Sequence, residues 1–191
     1  KIAEDSDTHP DVLSQLAESK DEAVAAAVAA NPNTPEVVLF LLSEKHPACL
    51  LKNPLLHLWE FTEPGSLQSK IPPDALLSLY AHLIENEAEQ IPENILPVKR
   101  RMQLFDDAMK IDRDVDFDIF ARDPSPQVRC LFIDPQRSFY SHGQEKVFIQ
   151  PETILNLARD PDPSVVLALA EAFSRGPLRG NRYVSSEVDT F

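Results

Sequence analysis

Apolar residues fall at helical spacing from the start of the chain. Val12, Leu13, Leu16 and Ala17 lie on one face of a helix opened by Thr8, His9, Pro10 and Asp11. A hydroxyl cap, a proline in the first turn and an acid beside the positive dipole end together mark a helix start. The pattern returns 25 positions on: Thr34, Pro35 and Glu36 lead into Val37, Val38, Leu41 and Leu42. Between the two, Ala23–Ala30 predicts a second helix, stopped by Asn31-Pro32 because proline disfavours the helical conformation in the residue before it. Helices this short cannot bury their own apolar stripes and need neighbours on both sides, as stacked repeats provide.

The repeat continues with varying fidelity. His46–Lys52 predicts a short second helix, closed by Asn53-Pro54, so Asn-Pro recurs after 22 residues. Residues 1–7 read as a polar lead-in or the tail of an earlier helix. Leu55–Lys70 breaks the register and reads as a compact apolar turn carrying the single tryptophan, followed by a Pro-Gly loop. Pro73–Leu79 recovers the first-helix pattern, and a further helix starts at or after Pro92 and runs towards Lys110. From Asp114 the repeat is clear again. Phe117, Phe120 and Ala121 match Ile154, Leu157 and Ala158 at an offset of 37, and Arg122–Val128 matches Arg159–Val165. Residues 151–171 align without a gap on 10–30. The division expected is repeats over 1–54, an irregular helical section over 55–113, repeats over 114–175 and a tail over 176–191, within one continuous domain.

Composition narrows the class. Four glycines against seventeen prolines, with no long alternating pattern, predict an all-α chain punctuated by proline stops. The net charge is −13, distributed as −6 over residues 1–60, −6 over 61–118 and −1 over 119–191. An acidic surface repels phosphate backbones and favours a basic protein partner. Cys49 and Cys130 fall inside expected helices and read as buried free thiols. No run is apolar enough to span a membrane, and the chain reads as cytoplasmic.

NPNTPEVVLFLL, FARDPSPQVRCLF and LARDPDPSVVLALAEA resemble the leucine-rich repeat variant, a bacterial relative of HEAT-type α-solenoids. The resemblance covers roughly residues 8–54 and 114–173. It implies a right-handed superhelix of paired helices that serves as a binding surface, and it implies no chemistry.

Candidate chemistry is thin. Asp112, Asp114, Asp116 and Asp118 alternate as in a calcium loop, but Phe117 stands where such a loop needs glycine, and acids at a helix start explain the run. The five histidines lack metal-ligand spacing, and no phosphate loop or nucleophile motif occurs. No cofactor, metal or catalytic residue is therefore assigned. Lys99-Arg100-Arg101 reads as a solvated helix face rather than a phosphate site. The two interruptions of the repeat carry the candidate partner-binding residues: His57, Trp59 and Phe61 in the first, and Arg137, Phe139, Tyr140 and His142 in the second. Trp59 reads more readily as a plug of the core where the register breaks, whereas Phe139 and Tyr140 fit binding and plugging equally. The expectation is a non-catalytic scaffold for a protein partner. A nucleic-acid-directed protein and a structural domain of a larger chain are the alternatives.

Overall fold

The computed structural model describes residues 1–86, 91–110, 115–134 and 150–174. Among them lie twelve helices and no strand, so the described chain is all-α. It divides into two compact units, residues 1–100 and 101–191.

In the first unit α1 (Pro10–Leu16) pairs with α2 (Glu22–Ala30), and α3 (Glu36–Ser43) with α4 (Pro47–Lys52). α2 packs on both α3 and α4, and α7 (Pro73–Glu85) then covers α3 and α4 as the next layer. α7 is a core helix: Ala75, Leu76, Leu77, Leu79 and Tyr80 are all buried, so most of its circumference is dry. The segment expected as an apolar turn instead forms α5 (Pro54–Thr62) and α6 (Leu67–Lys70). Pro54 sits at the first position of α5, where its missing N–H costs nothing, and the Asn53 side chain caps the Leu55 N–H. The Pro64-Gly65 turn separates α5 from α6, with Gly65 at a φ of 79° that favours glycine.

The register of the first two pairs is 26 residues, not the 25 expected from the apolar pattern. Thr8 donates its hydroxyl to the Ile2 carbonyl and Thr34 donates to Val28, each six residues back. Asn31 Nδ2 donates to the carbonyls of Ala3 and Asp5, at 2.8 Å each. One layer on, Asn53 Nδ2 donates to those of Ala29, at 2.8 Å, and Asn31, at 3.0 Å. Ile2, Ala3, Asp5 and Thr8 thus do for α1 what Val28, Ala29, Asn31 and Thr34 do for α3. The lead-in thus occupies before α1 the place that the end of α2 occupies before α3. Leu13 and Leu39, 26 apart, are both fully buried. The shift of one residue rotates the face of α3: Leu39, Phe40, Leu42 and Ser43 are inside, while Val37 and Leu41, expected inside, point out.

The asparagines do more than stop helices. Each is buried, takes the N–H two residues ahead on its side-chain oxygen, and ties its amide to the layer before. An unpaired buried carbonyl is costly, so this ladder fixes the stacking as well as satisfying the backbone.

The second unit uses another staple. Its elements are α8 (Val98–Ala108), whose first three residues precede the boundary, α9 (Asp118–Ala121), α10 (Pro126–Ile133), α11 (Pro151–Ala158) and α12 (Pro163–Ser174). α9 packs on α10 and α11, and α12 packs on α10 and α11. α8 begins directly after Pro97. Arg101, the fourth residue of α8, reaches Asp123 in the link between α9 and α10: Nε lies 2.9 Å from Oδ2 and Nη2 3.4 Å from Oδ1. Arg129, the fourth residue of α10, reaches Asp160 in the link between α11 and α12, at 2.7 and 2.8 Å. Arg129 also donates to the carbonyls of Asp123 and Pro124. Both aspartates cap the N–H two residues ahead. Arg101 is therefore not part of a solvated face; it is 2% exposed and its partner Asp123 1%. A delocalised, forked cation is the side chain that can meet a carboxylate and two carbonyls at once.

Phe105, Phe117 and Phe120 form an aromatic cluster, with centroids 5.0–6.2 Å apart and two of the three pairs edge-on. Phe120 is fully buried as expected, whereas Phe117 is half-buried at the N-cap of α9. The gapless alignment of 10–30 on 151–171 holds down to single hydrogen bonds. Asp21 N–H meets Ser19 Oγ as Asp162 N–H meets Asp160 Oδ1, and Asp21 caps Ala23 as Asp162 caps Ser164. Cys49 and Cys130 are free and half-buried rather than fully buried.

Candidate functional site

The outward face of α3 and α5 is the site the first unit presents. Val37 and Leu41 stand one helical turn apart on α3 and are 79% and 65% exposed. Leu58 and Phe61, three residues apart on α5, are 52% and 85% exposed. The two helices meet at one aromatic pair: the Phe40 ring lies 6.0 Å from that of Trp59 at a 45° tilt. Scattered exposed apolar residues are ordinary, whereas on each of these two helices a pair shares one face, the pattern that partners cover.

The expected site residues separate accordingly. Phe61 and His57 lie on the exposed side of α5. Trp59 faces inward, half-buried on Phe40, and anchors α5 to α3. Arg137, Phe139, Tyr140 and His142 fall outside the described residues. Val37, Leu41 and Leu58 were not singled out by sequence reasoning. The signal for the first two was the 26-residue register, which sets Val37 against Asp11 and Leu41 against Gln15. The same scaffold positions are polar on α1 and apolar on α3, so fold geometry does not demand the apolar choice.

Within α3 and α5 themselves there is no lysine or arginine; exposed Lys45 follows α3 and exposed Lys52 precedes α5. Glu36 opens α3 and is exposed; Glu60 lies on α5, with both carboxylate oxygens 3.4 Å from the Gly65 N–H. Glu63 pairs with Lys70 at 3.2 Å.

No family model, curated protein or solved structure matches the chain. The site therefore rests on its own residues. Among the described residues no three histidine, cysteine or acidic side chains gather where they could hold a metal ion. Nor is any helix there long and apolar enough to cross a membrane.

Of the alternating aspartates, Asp112 and Asp114 lie outside the described residues. Asp116 caps the Asp118 N–H at 3.0 Å, and Asp118 Oδ2 accepts the Thr153 hydroxyl at 2.7 Å, tying α9 to α11. Burial raises the Asp118 pKa above the ordinary carboxylate value; the Thr153 hydrogen bond opposes this, Asp116 adds to it and Arg122 opposes it. A carboxyl raised on folding holds its proton longer in the native state. Its contribution is thus full below the unfolded pKa and is lost as pH rises through the higher folded value. The variant Asp118→Asn should lose this segment of pH dependence. Urea midpoints of the native chain, taken relative to D118N, should fall as pH rises from the ordinary carboxylate value upward. A difference that stays flat or rises across that window contradicts the assignment.

Proposed function

We propose that this protein is a non-catalytic helical-repeat scaffold, of the leucine-rich repeat variant or HEAT-like kind, whose paired helices form a superhelix that binds a protein partner. One observation carries the reading: Val37, Leu41, Leu58 and Phe61 hold large apolar side chains outward on touching helices. The repeated asparagine and arginine staples support a stacked architecture, since each spends a buried polar side chain on joining one layer to the next. A nucleic-acid partner has less support, because the one basic run loses Arg101 to a buried ion pair with Asp123. Free Cys49 and Cys130 fit a reducing compartment, and we place the protein in the cytoplasm.

The double variant Val37→Ser/Phe61→Ser tests the reading. Both side chains are exposed, so unfolding free energy should stay within about 0.5 kcal/mol of the native chain. A stoichiometric protein captured by the native chain from nuclease-treated lysate should be absent from the variant's capture. A partner held equally by both chains, or one that disappears on nuclease treatment alone, overturns the assignment.

A further inference from the structure

We infer that the exposed apolar residues of α3 and α5 receive an amphipathic helix of another protein, with its apolar stripe bordered by lysine and arginine. The inference rests on the scaffold reading above and specifies the chemistry of its partner. Four observations lead to it. Among the described residues there is no strand, so no sheet edge is available to pair with an extended segment. The exposed apolar residues recur at the spacings that a packed helix meets, four apart on α3 (Val37 and Leu41) and three apart on α5 (Leu58 and Phe61). Both helices lack any lysine or arginine, while Glu36 and Glu60 stand on them. A helix with cations beside its apolar stripe would be attracted by the acidic character of these helices, and one bordered by acids would meet repulsion. A second copy of this chain is the poorer occupant for the same reason, as each copy carries a net charge of −13.

The experiment uses the full chain and three designed eighteen-residue peptides, followed by fluorescence anisotropy. The first places leucines along one helical face with lysines at its borders, the second replaces the lysines by glutamates, and the third scrambles the first. The leucine–lysine helix should bind at least tenfold more tightly than either of the others. It should lose at least tenfold on Val37→Ser/Phe61→Ser and weaken several-fold when salt is raised from low to physiological strength. Equal binding of the scrambled peptide would reduce the effect to bulk charge and overturn the inference. Tighter binding of the glutamate helix, or binding by none of the three, overturns it as well. A native chain that sediments as a dimer, and as a monomer once V37S/F61S is introduced, makes a second copy the occupant and also overturns it. None of these outcomes alters the lysate capture above, which decides the scaffold reading separately.

Discussion

Replacing Arg101 by alanine is expected to destabilise the protein by about 3–5 kcal/mol, the range for breaking a buried ion pair by removing one partner. The size of the effect comes from what is left behind. Asp123 is 1% exposed, and its carboxylate would remain in a dry interior with the Ser125 N–H, at 2.7 Å, among its remaining contacts. The pair as a whole is worth much less than its broken half, because desolvating two charges offsets most of their attraction. Arg101→Met combined with Asp123→Asn should therefore lose less than Arg101→Ala alone. The asparagine keeps an oxygen for Ser125, and methionine keeps the packed stem. Urea unfolding followed by helical circular dichroism measures both. A loss below about 1 kcal/mol for R101A, typical of a surface change, would show that Arg101 is not the buried staple described. Arg129→Ala provides the parallel test, with Asp160 as the stranded carboxylate.

Asn53→Ala should cost about 2–3 kcal/mol. The side chain is fully buried and makes three hydrogen bonds: two donated to carbonyls of the preceding layer and one accepted from the Leu55 N–H. Removing it leaves the Ala29 carbonyl without that donor and uncaps α5, and each buried group so stranded costs about 1–3 kcal/mol. Asn31 O is cushioned, since it also accepts from the Thr34 N–H at 3.2 Å. Asn53→Asp should be worse than alanine, because a carboxylate cannot donate and would face two carbonyl oxygens. Asn33→Ala supplies the comparison: Asn33 also bridges to the preceding layer, at the Ser6 and Thr8 carbonyls, but it is exposed. Its loss should stay below about 1 kcal/mol. Equal effects at positions 33 and 53 would contradict the ladder.

Local signals in the sequence marked the helices well, and long-range ones poorly. Proline at the first helical position placed the starts of α1, α4 and α7, and Asn-Pro placed the ends of α2 and α4. These devices act within a few residues, where steric and capping effects dominate. The face of α3 was misjudged by one residue because apolar spacing alone fitted an offset of 25. The true offset is set by Thr8, Asn31, Thr34 and Asn53, whose hydrogen bonds reach back to the preceding segment. That single step moved Val37 and Leu41 from core to surface and so hid half of the candidate site. Arg101 was misread for a related reason. Three consecutive basic residues spread around a helix, and nothing local shows that one of them finds Asp123 twenty-two positions later. Trp59 was expected in an apolar turn and lies instead on α5, and its contact with Phe40 depends on how α5 returns to α3.

The most direct test of the central claim compares two equivalent positions on one scaffold. A photo-crosslinking amino acid is placed at Leu41 in one chain and at Gln15, its counterpart 26 residues earlier on α1, in another. Both positions are exposed, so both chains should fold as the native protein does. Irradiation in lysate should give a discrete covalent adduct from position 41 and little or none from position 15. Adducts of equal yield from both, or from position 15 alone, would contradict the claim that the apolar face of α3 and α5 is where this protein meets its partner.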